Sequence, residues 1–160
     1  MFRGRKVAVV VPAFNEAAKI GRTVRSVPGF VDWIFVVDDA SVDGTGRIAR
    51  RSQRRGLSVL CHQRNCGVGA AIATGYAAAM EVGADVTAVM AGDSQMDPAD
   101  LVALISPVAA DQADYAKGNR FGWPSVYLPR LARSARNRCA LPRSSMTTSF
   151  PFMTSTSACG

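Results

Sequence analysis

The stretch KVAVVVPAFNEAAKIGRTV (6–24) decides the fold. Residues 7–11 form a continuous apolar run rich in valine, which is typical of a strand buried on both faces in a parallel sheet. Pro12 interrupts the run, and Asn15 comes directly before a segment in which apolar residues recur with helical spacing. We therefore predict a buried strand, a short turn and a helix for which Asn15 supplies the N-cap.

The same strand–helix unit recurs along the chain. Apolar runs lie at 6–11, 33–38, 57–62, 85–91 and, more weakly, 113–118, and helical patterns lie at 15–27, 44–55, 68–83 and 98–110. Asp97 and Pro98 place a side-chain acceptor before an N1 proline at the start of the last helix. This alternation predicts an α/β fold with a doubly wound, mostly parallel sheet and right-handed crossovers.

Charge divides the chain into two parts. The net charge is +7, but all 12 acidic residues lie at or before Asp114, and residues 121–160 carry five arginines and no acid. The hydrophobic period is also lost near 121, as is typical of linkers and disordered segments. We predict a domain at 1–121 and an irregular or disordered basic tail at 122–160. Because the excess positive charge belongs to the tail, we expect no nucleic acid among the partners.

The composition favours a cytoplasmic protein. No apolar run reaches the roughly 18 residues of a transmembrane helix, and the short N-terminal run that stops at Pro12 indicates a strand rather than a signal peptide. The cysteines lack paired C-x-x-C spacing, so we expect reduced thiols, with a metal role beside His62 as a minor alternative. These cysteines are Cys61, Cys66, Cys139 and Cys159.

Ligands of doubly wound sheets bind beyond the carboxyl ends of the strands, so the segments that follow the strands indicate the site. They read PAFNE (12–16), DDASVDGT (38–45), RNCGVGAA (64–71), GDSQMDP (92–98) and KGNRF (117–121). Acids, amides, glycines and one arginine therefore gather along one edge of the expected sheet.

These segments exclude several common sites. The first turn lacks G-x-G-x-x-G, Ile72 replaces the third glycine in GVGAAI (67–72), and no P-loop or G-x-S-x-G motif is present. A Ser-His-Asp triad would depend on His62, which lies in no such motif. The remaining acidic site suits Mg²⁺ or Mn²⁺ bound to carboxylate and phosphate oxygens. We predict that Asp93, at the tip of the fourth strand, meets a metal-bound diphosphate.

Five of these motifs, in their order and spacing, resemble family 2 GT-A glycosyltransferases, and most closely the dolichyl- or polyprenyl-phosphate sugar transferases. They are VVVPAFNE, VVDDASVDGT, NCGVGAA, AGDSQMDP and GNRF, and the resemblance covers roughly residues 6–121. It implies the Rossmann-like nucleotide-binding half of a GT-A fold. It also implies a hexosyltransferase that moves a sugar from a nucleoside-diphosphate sugar to an acceptor such as a polyprenyl or dolichyl phosphate.

The resemblance further implies roles for single residues. The donor would contact Pro12, Ala13, Phe14, Glu16, Val37, Asp39, Gly92, Asp93 and Arg120. Asp39 would accept a hydrogen bond from the base or ribose, and Arg120 would lie near the donor phosphates or sugar. Asp93, the catalytic group, and Gln95 would hold the metal, which would stabilise charge on the departing diphosphate. A lipid-phosphate acceptor would place the protein at the inner face of the cell membrane as a peripheral protein.

Two departures from the family pattern leave alternatives open. The acidic motif usually reads D-x-D-x-Q, and Ala91 stands where its first aspartate is expected; no acceptor segment is recognisable after 121. A catalytically inactive nucleotide-sugar binder is therefore one alternative. The other is a receiver-type phosphoacceptor domain, suggested by Asp93 and Lys117. A receiver would need its acid pair after the first strand, whereas Asp38 and Asp39 follow the second.

Overall fold

The computed structural model describes residues 1–118 and the backbone of residues 126–129. Strands and helices alternate, as the apolar pattern predicts. The strands are β1 (Val7–Ala13), β2 (Trp33–Asp38), β3 (Leu57–Cys61), β4 (Val86–Val89), β5 (Ala113–Lys117) and β6 (Val126–Pro129). The helices are α1 (Ala17–Ser26), α2 (Thr45–Arg51), α3 (Val68–Glu81) and α4 (Asp100–Ala109).

The main sheet has four parallel strands in the order β3-β2-β1-β4. Strand β1 lies between β2 and β4 and is almost completely buried, which explains its continuous run of apolar residues. The chain moves outward from β1 to β3 and then crosses back to β4 on the other side. The expected doubly wound α/β fold is confirmed.

Helices cover both faces of this sheet. The odd-numbered valines of β1, such as Val9, pack with Ile20 of α1 and Ile105 of α4, whereas Val10 packs on the other face with Ala71 of α3. Helix α3 approaches the sheet so closely that a Cβ atom on Gly75 would lie 2.2 Å from a methyl group of Val10. Gly75 therefore sets the distance between α3 and β1, and with it the position of the start of α3.

The fifth strand does not extend the parallel sheet, in contrast to the simplest form of the sequence prediction. Strand β5 pairs antiparallel with β6 in a separate two-stranded sheet. Its side chains explain the difference: Ala113 is buried, but Asp114 and Tyr115 are exposed, so β5 lacks the two apolar faces of a central strand. Strand β6 lies within the segment expected to be irregular, and the other residues of 122–160 lie outside the described residues.

The helix starts differ from one another. Asp97 accepts a hydrogen bond on Oδ1 from the backbone N–H of Ala99 at 2.9 Å, but α4 begins at Asp100 and its N-cap residue is Ala99, so Asp97 and Pro98 lie in the turn before the helix and not at its N-cap and N1 positions. The prediction that Asn15 caps α1 is wrong. Asn15 has φ 54°, and its side-chain oxygen accepts from the N–H of Val42 in the loop after β2. Its side chain thus joins two loops instead of closing a helix end.

The strand order also decides against a receiver-type domain. Receiver domains have the order 2-1-3-4-5, whereas the order here is β3-β2-β1-β4.

Within the part of the chain that the structure describes, there is no helix long and apolar enough to cross a membrane.

Candidate nucleotide-sugar site

The loops after β1 and β2 are joined by reciprocal hydrogen bonds. The backbone N–H of Asn15 donates to the Ser41 hydroxyl at 2.9 Å, and the N–H of Val42 donates back to the Asn15 side chain at 3.0 Å. The N–H of Ala17, the first residue of α1, donates to Oδ2 of Asp43 at 2.9 Å. These contacts fix PAFNE and DDASVDGT as one surface at the carboxyl ends of two neighbouring strands.

Asp43 supplies the helix-start contact that the sequence assigned to Asn15. Its Oδ1 accepts from the backbone N–H and the hydroxyl of Thr45, while its Oδ2 accepts from Ala17. Desolvation alone would raise the pKa of Asp43, but the Thr45 hydroxyl and the Ala17 N–H outweigh it and hold the pKa below its usual value. One carboxylate thus serves the starts of both α1 and α2, which sequence reasoning missed.

The residues predicted after β1 differ in exposure. Phe14 is 48% exposed, and Pro12 and Glu16 are half-buried, so these three can be reached from solvent. Ala13 is buried. Glu16 lies 3.6 Å from the Lys19 ammonium one turn along α1. The exposed ring of Phe14 is the apolar surface of this loop on which a base or ribose could pack.

At the end of β2, the predicted donor contact Val37 and its neighbour Asp38 are both buried. Val37 is completely buried in the core beneath α3, so its side chain supports the strand and does not face the site. Asp38 is buried too; its Oδ1 accepts from the N–H of Ser41, and its Oδ2 lies where a Cβ on Gly46 would be. Asp38 therefore packs under the start of α2.

Asp39 is 3% exposed and is hydrogen-bonded on both carboxylate oxygens. Oδ1 accepts from the backbone N–H of Cys66 at 2.9 Å and lies 2.6 Å from Nδ1 of His62, and Oδ2 accepts from the N–H of Gly67 at 2.7 Å. Burial alone would raise the pKa of Asp39. The two N–H groups and the His62 ring outweigh burial and lower that pKa, so the group is held as a carboxylate.

His62 and Thr74 belong to the same cluster, and sequence reasoning missed both. Nε2 of His62 lies 3.0 Å from the Thr74 hydroxyl, so the ring connects Asp39 beyond β2 with the first half of α3. We refer to Asp39, His62, Cys66, Gly67 and Thr74 as the Asp39 cluster. The one available signal was that the single histidine of the chain directly follows β3, at the edge where the site was expected.

The loop after β4, residues 91–97 and here called the Asp93 loop, passes close to the end of β1. A Cβ on Gly92 would lie 3.1 Å from the carbonyl oxygen of Pro12, so glycine permits this approach. The Thr23 hydroxyl of α1 donates to the Gly92 carbonyl at 3.1 Å and lies 2.7 Å from the Ser94 hydroxyl. Ser94 has φ 59°, which turns the chain sharply after Asp93.

Asp93 and Gln95 offer oxygen donors in this loop. Asp93 is half-buried, and its Oδ1 accepts from the backbone N–H of Gln95 at 3.0 Å; the Gln95 side chain is exposed. A carboxylate and an amide oxygen are ligands of the kind that Mg²⁺ or Mn²⁺ takes, with waters and phosphate oxygens in the other positions. The residues present therefore fit a divalent metal, although Ala91 contributes no carboxylate to it.

A different set of donor atoms lies in the Asp39 cluster. Among the described residues, Asp39, His62 and Cys66 bring an oxygen, a nitrogen and a sulfur atom within 4.8 Å of one another. The 2.6 Å separation of Nδ1 and Oδ1 is that of a hydrogen bond, so these two groups are already each other's partners. A mixed N, O and S set also differs from the all-oxygen set that Mg²⁺ prefers.

A cavity of about 1120 Å³ opens beside the Asp93 loop, between β4, α4 and β5. Its polar lining includes Gln95, Asp97, Asp114 and Lys117. The predicted donor contact Arg120 lies outside the described residues, two positions beyond their limit at Gly118. This volume is somewhat larger than the roughly 300–1,000 Å³ that is typical of small-molecule pockets.

Comparisons with known proteins agree with this fold. The model of the family described as glycosyl transferase family 2 matches residues 8–158. The UDP-N-acetylglucosamine–dolichyl-phosphate N-acetylglucosaminyltransferase of Methanococcus voltae is 29% identical over 136 residues, covering 76% of this chain and 54% of the relative. The undecaprenyl-phosphate mannosyltransferase of Micrococcus luteus is 33% identical over 121 residues, covering 72% of this chain and 48% of the relative.

A solved structure shares the fold. The glucosyl-3-phosphoglycerate synthase of Mycobacterium tuberculosis, crystallised with Mn²⁺, UDP and glucosyl-3-phosphoglycerate, superposes with a TM-score of 0.54 at 26% identity, covering 66% of this chain and 40% of that one. The chain spans about half the length of the curated relatives it matches.

Proposed function

The chain belongs to glycosyl transferase family 2, and from this premise we propose that it binds a nucleoside-diphosphate sugar and transfers the sugar to an acceptor. The observation that carries the proposal is the meeting of three strand-end loops. The loops after β1 and β2 are hydrogen-bonded to each other, and the Asp93 loop packs against the end of β1 through Gly92 and Pro12.

The donor nucleotide is proposed to lie across these loops. Phe14 and Glu16 offer an aromatic surface and a carboxylate to the nucleoside, and Asp39 offers what remains of its acceptor capacity to the base or ribose. Gly92 allows the Asp93 loop to pack against the end of β1, which brings Asp93 close to the loop that carries Phe14. Arg120 remains a proposed contact of the donor phosphates or sugar.

A divalent metal is proposed to be held by Asp93 and Gln95. When bound, such an ion acts as a Lewis acid that stabilises negative charge on the departing diphosphate. Asp93 and Gln95 bring the oxygen donors to the loop that approaches β1, where Pro12 and Gly92 meet. The Mn²⁺ and UDP present in the M. tuberculosis synthase structure support this assignment.

The acceptor is proposed to be a polyprenyl or dolichyl phosphate. The names of the Methanococcus voltae and Micrococcus luteus relatives refer to such lipids. A phosphate acceptor is already anionic and needs little help from a general base. Use of a lipid acceptor would bring the protein to the cytoplasmic surface of a membrane, where the arginines of residues 121–160 would favour anionic headgroups.

Binding of nucleoside diphosphates tests the first half of the proposal. We expect titration calorimetry to show that UDP or GDP binds the 160-residue chain in Mn²⁺, and that EDTA weakens the binding. UMP in the same buffer is the matched control, because it has the base and ribose but only one phosphate. If neither diphosphate binds in Mn²⁺, the proposal is wrong; if EDTA has no effect, the metal is removed from it.

A catalytically inactive nucleotide-sugar binder is the second candidate, favoured by Ala91 at the expected first aspartate. Turnover separates it from the enzyme, whereas binding does not. Radiolabelled UDP- and GDP-sugars are incubated with undecaprenyl phosphate in detergent, and label in the organic phase is counted. Transfer above that of an Asp93→Asn control identifies an enzyme; donor binding without transfer identifies the inactive binder.

A further inference from the structure

We propose that His62 is a positioning residue for nucleotide binding: its ring holds the Asp39 carboxylate in the one orientation that leaves an acceptor site on Oδ2 for the ligand. This inference rests on the proposed function, because it concerns the same site. It adds a role for a residue that none of the five motifs contains.

The ring of His62 lies between two other elements. Its backbone N–H donates to the carbonyl of Asp38 at 2.9 Å, which fixes the residue at the end of β3 beside β2. From there the ring places Nδ1 against Asp39 at 2.6 Å and Nε2 against Thr74 of α3 at 3.0 Å. The side chain is 16% exposed, so the surrounding protein fixes the ring as well.

The acceptor positions of Asp39 can be counted. A carboxylate offers about four lone-pair positions, two on each oxygen. His62 and the N–H of Cys66 take both positions of Oδ1, and the N–H of Gly67 takes one of Oδ2. With respect to the described residues one position on Oδ2 remains, and it is this one that a nucleobase N–H or a ribose hydroxyl would use.

Without the imidazole the orientation of the Asp39 carboxylate would be fixed less well. The N–H groups of Cys66 and Gly67 would then be its remaining described partners, and one position on Oδ1 would become free beside the one on Oδ2. The carboxylate could turn about its Cβ–Cγ bond, and a ligand donor would find two competing acceptors in place of one. Fixed acceptors bind more tightly because little rotational freedom is lost on binding.

The Asp39 carboxylate, which only accepts, sets the proton arrangement of the ring, and the Thr74 hydroxyl completes it. With the proton on Nδ1, the ring donates to Asp39, and Nε2 accepts from the Thr74 hydroxyl. The hydrogen bond at one ring nitrogen fixes the state of the other. Thr74 is therefore the matched second position for a test, since it acts on Asp39 only through His62.

The test compares three variants of the full chain. His62→Leu removes the donor to Asp39, His62→Asn keeps a side-chain N–H donor, and Thr74→Val keeps shape but removes the hydroxyl. The Kd of UDP or GDP, whichever binds the wild type more tightly, is measured by calorimetry. The midpoint of urea unfolding is measured in parallel. A core truncation on α1, Val24→Ala, controls for loss of stability alone.

We expect His62→Leu to weaken binding about tenfold, as the loss of one charge-assisted hydrogen bond would. His62→Asn is expected to recover most of the affinity, and Thr74→Val to weaken binding about threefold. Val24→Ala should lower the unfolding midpoint without changing the Kd. If His62→Leu does not fold, the comparison of Thr74→Val with Val24→Ala decides.

The positioning role is overturned if His62→Leu binds the nucleotide with wild-type affinity. If His62→Leu does not fold, wild-type affinity in Thr74→Val overturns it. So does His62→Asn binding as weakly as His62→Leu, because that would make the shape of the ring decisive and not its donor. Absence of nucleotide binding by the wild-type chain is a different result, which overturns the proposed function itself.

Discussion

Asp39 and Asp93 both follow strands of the parallel sheet at the same edge, yet their surroundings differ. Both oxygens of Asp39 accept hydrogen bonds from the protein, and the residue is 3% exposed. Asp93 is half-buried, and its described hydrogen bond is the local one from the N–H of Gln95. A carboxylate that already accepts three hydrogen bonds from the protein is fixed in its orientation, whereas one that accepts a single local hydrogen bond has more oxygen capacity left for a cation.

The same contrast holds for the segments around them. The Asp39 cluster connects β2, β3 and α3 through contacts between residues 12 to 28 positions apart in the sequence. The Asp93 loop is held at its base by Thr23, while the Gln95 side chain is exposed. We therefore expect substitutions in the cluster to act on folding and binding together, and substitutions of Asp93 to act on binding alone.

The largest effect is expected for Asp39→Ala. Two backbone N–H groups and the His62 ring lose their acceptor, and donors left unsatisfied away from water cost about 1–3 kcal/mol each. Because Cys66 is partly accessible to water, we expect the free energy of unfolding in urea at pH 7 to fall by about 3 kcal/mol. Asp93→Ala is the matched control. Equal losses in the two variants would contradict the contrast between the two aspartates.

Acid is expected to act through the same cluster. The pKa of Asp39 is lowered in the folded protein, so its stabilising contribution is complete above the ordinary aspartate pKa of about 3.9. The contribution is lost as the pH falls through the lower, folded-state pKa. We expect the melting temperature to drop steeply below about pH 4, and less steeply in Asp39→Asn.

The pKa values of Asp32 and Asp43 are lowered as well, so part of the acid sensitivity will remain in Asp39→Asn. Asp43→Asn serves as the comparison. If the melting temperatures of Asp39→Asn and the wild type fall equally steeply with pH, the charge of Asp39 does not stabilise the fold, which would contradict this prediction.

A smaller effect is expected for Thr23→Val, which keeps the shape of the side chain. The Gly92 carbonyl and Ser94 lose the Thr23 hydroxyl, and one lost hydrogen bond costs about 1 kcal/mol. Urea denaturation checks the stability. Calorimetry with UDP should show that the effect of Mn²⁺ is reduced, because the base of the Asp93 loop is loosened. An unchanged effect of Mn²⁺ would show that Thr23 is not needed to place the loop.

The smallest effect on stability is expected for Asp93→Asn. We expect the free energy of unfolding to change by no more than about 0.5 kcal/mol. The described hydrogen bond of Asp93 is the local one from the Gln95 N–H, and the amide oxygen of asparagine can accept it in the same way. The gain in UDP affinity on adding Mn²⁺ should disappear. Persistence of that gain would place the metal elsewhere, and a large loss of stability would make Asp93 structural like Asp39.

The sequence by itself determined the fold class and the edge of the sheet at which the strand-end loops meet. Four apolar runs with helices between them specify a parallel sheet, because burial on both faces requires continuous apolar residues. The loops then meet at one edge by topology alone. Topology placed the segments that contain Phe14, Glu16 and Asp93 at this edge, and the family resemblance singled out these residues as donor contacts; in the structure Phe14 is exposed, and Glu16 and Asp93 are half-buried.

The tertiary structure alone decided what each acid does. Asp43 takes over the helix start expected of Asn15, Val37 points into the core, and β5 pairs with β6 instead of joining the main sheet. His62 joins Asp39 to Thr74 across 23 and 12 positions of sequence. Periodicity records which face of an element is buried. It does not indicate which donors from distant loops reach a given carboxylate. Those donors are what makes Asp39 differ from Asp93.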